Sequence, residues 1–342
     1  MSKPEFRKVQ VTGGNSFVVS LPKAWVIDVG LKPKDAVAVM SQPDSSLLIV
    51  PRRDIRAAGK SEATIEATPG LERDVLLRQF ISYYLAGYDT IRINMGKSDA
   101  QLRTTIREGI RRKLVGVEII EESTTGFLTQ CLSGYVDLPL KKALERMSII
   151  ASGMLTDAVS VLQAGGKGLG DEVVQRDDEV DRFYHFLLRQ LNIAVRDRSV
   201  IQEIGLTSAR DCLGYRLVAK SVERVADHAA SIALKAEGLG TVPDSQFKKL
   251  QDMTSASKRV FENSIQALLR LDAEMAEESI EKTAEVIESE EKLGGEVASA
   301  KAGASQLATL KLILESIRRV AEYGADISEV AIDLTVREPR PA

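Results

Sequence analysis

Two short acidic rows stand out in this chain of 342 residues. In Asp177-Asp178-Glu179-Val180-Asp181 the first and last residues are four apart, and Glu223-Arg224-Val225-Ala226-Asp227 repeats that spacing. Residues four apart on an α-helix share one face, a turn apart. The charged, glycine-containing stretch 197–206 reads as a turn, and 202 is the midpoint of 179 and 225. An antiparallel hairpin turning there brings Asp177 and Asp181 level with Glu223 and Asp227. Four carboxylates so placed repel unless they are protonated, paired with bases or bridged by a cation. Fe, Mn, Mg or Ca, which accept oxygen ligands, suit such a set. Arg182 and Arg224 lie close enough in sequence to neutralise it instead, and spacing leaves both outcomes open.

The same construction applies farther on. A hairpin with its midpoint at 305, between 290 and 320, sets Glu288 and Lys292 against Arg318 and Glu322. Two of those four positions are cations, so this second site is expected to close as salt bridges and to need no metal. Enzyme readings find little support. Neither His185 nor His228 has a Glu three residues before it, so the Glu-x-x-His of di-iron oxidases is absent. His185 lies one turn past Asp181, within reach of a metal site, but an ordinary helical histidine is the favoured reading. No Ser/His/Asp or Cys/His arrangement is suggested, and the expectation is a protein that is not an enzyme.

A second chemistry lies at the start. Residues 1–60 carry ten Lys/Arg against five Asp/Glu, whereas 241–342 are net −6 and the whole chain is −3. A basic segment on an acidic chain suggests a small anion-binding module, nucleic acid being its commonest partner.

The elements that must position these residues read as follows. Val9, Val11 and the run Phe17 to Leu21 flank a Gly13-Gly14-Asn15-Ser16 turn; a helical turn at 23–29 ends at Gly30. Strands at 37–40 and 47–50 are joined by a turn at 42–46, and 52–60 reads as a linker. The middle alternates strands at 63–67, 88–95, 117–120 and 127–132 with helices at 71–86 and 99–114. That β-α-β-α-β-β order predicts a small α/β or ferredoxin-like layer. From 138 onward the pattern is helical: one helix with Leu140, Leu144, Met147, Ala151, Met154, Ala158 and Leu162 on one face, stopped by Gly165-Gly166, then helices at 171–195 and 208–237. A second set follows at 244–270, 272–300 and 305–336. Three helices and three more predict an internal duplication built as two antiparallel three-helix bundles.

Composition removes other classes. With 44% hydrophobic residues the chain is not disordered. Cys131 and Cys212, 81 positions apart, are too few for a disulfide framework or a Cys-ligated zinc site. The longest charge-free runs, such as 9–22, are far too short to span a membrane, and the N-terminus lacks the apolar core of a signal peptide. A soluble cytoplasmic protein with no membrane insertion is expected.

Over 138–336, and most specifically at Glu223-Arg-Val-Ala-Asp227, the sequence resembles the PhoU family of phosphate regulators. The resemblance implies two three-helix bundles with acidic E/D-x-x-x-D motifs that often bind iron clusters. Carried over by position, it implies Asp177, Asp181, Glu223 and Asp227 as ligands for Fe or another divalent metal. Lys292 and Arg318 depart from the acidic pattern, so the second-bundle site is expected to be lost. The start resembles SpoVT/AbrB or MazE-type swapped-hairpin domains through Gly14-Asn15-Ser16-Phe17-Val18-Val19-Ser20-Leu21-Pro22-Lys23 and Gly30-Leu31-Lys32-Pro33-Lys34-Asp35, with Lys34-Asp35 where Gly-Asp is usual. That resemblance implies an obligate homodimer with interleaved strands that binds DNA. Arg7, Lys8 and Lys23 are then expected on phosphates, with Asn15 and Ser16 at base edges or backbone; Asn15 equally suits the turn itself and Lys23 the helix start. The combination resembles archaeal PhoU-type regulators fused to a DNA-binding head, arranged as domains 1–55, 61–136, 138–240 and 243–337. It implies a transcriptional regulator of phosphate uptake, with a phosphate transporter or signalling kinase as further partner. The alternative is an accessory regulator that binds no DNA and uses its head only as a dimer clamp.

Overall fold

The computed structural model describes residues 4–41, 45–51, 61–68, 70–96, 100–132, 138–164, 168–237, 239, 242–299 and 303–336. The linker at 52–60, the glycine stop at 165–166 and most of the turn at 42–46 lie outside these. Residues 1–59 form one compact unit and 60–337 another.

In the first unit, β1 (Gln10–Thr12) and β2 (Ser16–Val18) pair antiparallel with Val11 opposite Phe17. Gly13 and Gly14 turn the chain at φ +60° and +94°, a left-handed backbone that costs a residue without Cβ little. Helix α1 (Lys23–Asp28) follows Pro22. Strands β3 (Val37–Ser41) and β4 (Leu47–Pro51) then pair with Val39 opposite Ile49. Lys34 sits at φ +80°, a left-handed backbone that few residues other than glycine adopt. None of the described residues of this unit is buried: Phe6 is 95% and Phe17 77% exposed, and Val9, Val11, Ile27, Val39 and Leu47 are also exposed. Two-stranded hairpins are marginal alone in water, so apolar surface left bare on this scale calls for something to cover it.

The second unit opens with β5 (Glu62–Glu66), α2 (Arg73–Leu85), β6 (Thr90–Asn94), α3 (Ala100–Lys113), β7 (Val117–Ser123) and β8 (Gly126–Cys131). The sheet order is β5-β6-β8-β7, with β5 and β6 parallel and the other pairs antiparallel. The small α/β layer is as expected. Its topology is not the split β-α-β-β-α-β of ferredoxin-like folds, because both helices precede the β7–β8 hairpin and the tight turn at 123–126 forces those strands to pair. Leu76, Phe80, Tyr84, Ile91, Ile93, Ile106 and Ile110 form its core.

Six long helices follow: α4 (Leu140–Ala164), α5 (Leu169–Arg196), α7 (Ala209–Ala236), α8 (Asp244–Arg270), α9 (Ala273–Ala298) and α10 (Ala304–Thr335). A short helix, α6 (Arg198–Glu203), occupies part of the expected turn. Helices α4, α5 and α7 pack as one bundle and α8, α9 and α10 as the next, with α7 against α10 and α4 against α8. The two bundles therefore share one continuous core instead of enclosing one each. All seven residues marked on the face of α4 are buried. Gly324 permits the approach of α10 to α8: a Cβ there would lie 2.9 Å from the Val260 side chain and 3.2 Å from the Phe261 backbone nitrogen.

The layer docks on α5. Arg189, Asn192 and Arg196 donate to the carbonyls of Tyr84, Leu85 and Ala86 at the end of α2, where the last carbonyls of a helix lack their regular intrahelical donors. The Arg189 guanidinium also lies 4.9 Å from the centre of the Tyr84 ring.

Candidate functional site

Helix α5 buries Val173, Val180 and Leu187, seven residues apart, and α7 buries Val218, Val222, Val225 and Ala229. Asp177 and Asp181 thereby flank Val180 on the side turned toward α7, and Glu223 and Asp227 flank Val225 and Ala226. The α7 start is held by Asp211, which accepts from the Thr207 and Ser208 backbone amides at 2.8 and 3.2 Å. The four acids lie near enough for their charges to act on one another. Burial, followed by the charges of Asp181, Asp227, Glu223 and Asp178, pushes Asp177 up to about 7. Burial also raises Glu223 and Asp227, against the opposing influence of Lys220. Glu223 is buried, whereas Asp227 lies at the exposed rim.

The counter-charges are not the expected ones. Among the described residues neither Arg182 nor Arg224 forms an ion pair with these acids. Lys113, the last residue of α3, reaches Asp181 Oδ2 at 2.9 Å, and Lys220 donates to Glu223 Oε1 and Oε2 at 2.6 and 2.5 Å. Lys220 was legible, three residues before Glu223 on the same helix face. Lys113 was not, since 68 positions separate it from Asp181. The Lys220 ammonium also sits 5.3 Å over the Tyr184 ring. Arg112 pairs with Asp178 at 3.3 Å, and His185 Nδ1–H donates to the Lys113 carbonyl at 3.1 Å. His185 thus caps α3, and burial lowers its pKa.

A cavity of about 620 Å³ opens between the layer and the bundle, with Arg78, Arg112 and Lys113 on one wall and Asp181 and Glu223 on the other. Among the described residues no three carboxylates or histidines yet converge at metal-holding distance; ammonium groups stand at two of the four acids. The four side chains offer only oxygen donors, and Asp177 Oδ1 is buried with no hydrogen-bond partner.

The second bundle closes as salt bridges, with one change of partner. Arg318 and Arg319 each lie 2.6 Å from Glu322, and Arg318 Nε is 4.0 Å from Glu290. Glu290, not Glu288, is the counterpart of Asp177, because it precedes buried Leu293 by three residues as Asp177 precedes Val180. Glu288 and Lys292 pair at 2.6 Å on the outer face.

In the N-terminal unit the five expected DNA contacts are exposed. Asn15 lies in the β1–β2 turn, Ser16 opposes Thr12 and Lys23 begins α1. Lys8 precedes β1, and Arg7 beside it is paired with Glu5. Both cysteines are free, Cys212 buried in the helical core. Among the described residues no helix is long and apolar enough to cross a membrane.

Residues 144–236 match the model of the PhoU domain, and residues 10–57 match that of antidote-toxin recognition MazE, the bacterial antitoxin. No curated protein matches the chain. Among solved structures, PhoU from Pseudomonas aeruginosa aligns with a TM-score of 0.51 at 19% identity, over 57% of this chain and 95% of that one. The phosphate transport system regulatory protein PhoU from Streptococcus pneumoniae aligns with a TM-score of 0.49 at 17% identity, over 57% and 93%. The first likeness is one of fold, and it agrees with the domain match. This chain therefore carries a MazE-type domain at its N-terminus and a PhoU domain in its first helical bundle.

Proposed function

We propose that this chain is a homodimeric, DNA-binding regulator of phosphate uptake. The observation that carries the reading is the bare apolar surface of a basic N-terminal unit. Residues 1–60 hold twice as many cations as acids, and none of the described side chains there is buried. A second copy interleaving its strands supplies the missing core and doubles the cations. Arg7, Lys8 and Lys23 then serve DNA phosphates, and Asn15 and Ser16 serve base edges or backbone.

The PhoU domain supports a regulatory role in phosphate homeostasis over a catalytic one. In this reading Asp177, Asp181, Glu223 and Asp227 hold Fe or another divalent metal, whose charge neutralises the cluster when bound. The helical body engages a phosphate transporter or signalling protein. The pairing of Arg7 with Glu5 favours a second reading, in which the head is a dimer clamp only and regulation runs through protein contacts.

Electrophoretic shift of promoter DNA by the full chain separates the two. DNA binding predicts a shift at low salt that weakens roughly a hundredfold between about 50 and 200 mM salt, as expected for about four phosphate contacts, and a further loss in Arg7→Ala/Lys8→Ala. No shift at low salt, or a double variant that binds as well as the parent, leaves only the clamp.

A further inference from the structure

The α/β layer and the helical bundles keep separate cores, and what joins them is mostly polar. Among the described residues the layer contributes Val115 to the helical core. The rest of the dock runs along one stripe of α5, at Asp178, Asp181, His185, Arg189, Asn192 and Arg196, spaced three or four apart. Its two ends differ in kind. Toward the C-terminus of α5 the contact is tight and sheltered. Arg189 is buried against the Tyr84 ring and donates to the Tyr84 carbonyl, and Asn192 donates to that of Leu85 at 3.0 Å. A Cβ at Gly87 would lie 2.9 Å from the Ile193 side chain, so no space is left there. At the other end Arg112 meets Asp178 at 3.3 Å, Lys113 meets Asp181 at 2.9 Å, and His185 donates to the Lys113 carbonyl at 3.1 Å. The Arg112 side chain is 65% exposed. Beside these ion pairs lies the cavity of about 620 Å³, between α2 and α3 on one side and α5 and α7 on the other.

We infer that the layer is a lid over this cleft, pivoting where α2 ends on α5 and latched where α3 ends on it. Ion pairs that water reaches hold weakly and are screened by salt. Hydrogen bonds from a buried guanidinium are costlier to break, because the charge and the carbonyl would both be left without partners. The latch is therefore the end that gives way first. Releasing it moves groups into water that already hydrates them in part, and the apolar surface it uncovers is that of Val115. Leu76, Phe80, Ile91 and Ile106 stay packed within the layer throughout, so the layer moves as one body. The unfilled volume lies on the latch side, which leaves the lid room to close as well as to open. Asp181 and Glu223 line the cleft, so the angle of the lid sets how far solvent reaches them. Such a motion needs no bound ion and is independent of the metal reading.

Amide hydrogen exchange on the wild-type full chain tests this without substitution. Raising salt from about 50 to about 500 mM should speed exchange in the last turn of α3 about tenfold and leave the last turn of α2 unchanged. Spin labels measure the opening itself. They are placed on Glu108→Cys of α3 and Arg216→Cys of α7, both exposed, in a Cys131→Ser/Cys212→Ala background. Arg112→Met/Lys113→Met should lengthen and broaden the distance between these labels at low salt, and Arg112→Lys/Lys113→Arg, which keeps both charges, should hold the distance of the parent. A second pair near the pivot, Ser82→Cys with Val195→Cys, keeps its distance in all of them. Exchange that ignores salt in both turns, or a 108–216 distance unmoved in the methionine variant, overturns the lid. Label pairs that move alike mean that the layer detaches as a whole, which overturns the pivot. The exchange comparison decides the matter if the methionine variant fails to fold.

Discussion

The two bundles present the same helix position with opposite charge. Ser221-Val222-Glu223-Arg224-Val225-Ala226-Asp227 aligns with Ser316-Ile317-Arg318-Arg319-Val320-Ala321-Glu322, so Arg318 stands where the first bundle has Glu223. In the second bundle that guanidinium binds Glu322 and approaches Glu290, and the site is neutral within itself. In the first, a lysine is brought in from the α/β layer; each site keeps a buried atom without a hydrogen-bond partner, Asp177 Oδ1 in the first and Arg318 Nε in the second. Two positions, Arg318 in place of Glu223 and Gly294 in place of Asp181, therefore separate a site completed by its own helices from one that draws charge from elsewhere.

The comparison is broken most severely by Arg318→Glu. Three acids then share the second site with Arg319 as their nearest cation. Such a half-buried cluster is expected to cost about 3 kcal/mol in metal-free buffer, read from the midpoint of urea unfolding. Added Mn²⁺ should return part of the loss if the second site has become like the first. An unchanged midpoint would mean that charge sign does not distinguish the two sites.

A smaller effect is expected from Asp177→Asn. The folded chain holds the Asp177 proton up to about pH 7, whereas an unfolded aspartate releases it near pH 4. The stability due to the protonated carboxyl is complete below about pH 4 and is lost as pH rises to about 7. Solvent reaches the site and reduces that loss to about 1–2 kcal/mol. Asparagine stays neutral throughout, so thermal melts in chelator should show a higher midpoint than wild type at pH 8 and a flatter dependence on pH. A variant that follows the wild-type pH curve would remove Asp177 from the cluster. The smallest effect is predicted for Glu288→Ala. The Glu288–Lys292 pair is 64% and 70% exposed, and its loss should leave the melting midpoint unmoved. A clear drop there would restore Glu288 as the counterpart of Asp177.

The long helices were legible to within a few residues, because each carries an apolar stripe at helical spacing and ends in glycine, proline or a polar turn. The level of the first acidic site followed from the hairpin midpoint alone. The same arithmetic slipped by two residues in the second bundle, since it carries no information on which residue of α9 faces the core; Val286 and Leu293 settle that in favour of Glu290. Arg182 and Arg224 were reasonable neutralisers by sequence distance, yet being near in sequence on a helix does not place a side chain on the acidic face. In the head, the departure from Gly-Asp at Lys34-Asp35 was visible, but only the backbone shows that the lysine adopts the left-handed turn.

The amino-acid order alone determined which segments are amphipathic helices, that two acidic pairs stand at the same height, and that the head is basic, because periodicity and charge are local properties. Tertiary structure decided which cation meets those acids. Coulombic pairing depends on distances of a few ångströms between groups far apart in the chain, and only the docking of α3 on α5 brings Lys113 to Asp181. It also decided that the strands of the head keep no core within one chain, since burial depends on how elements pack and not on how apolar they are.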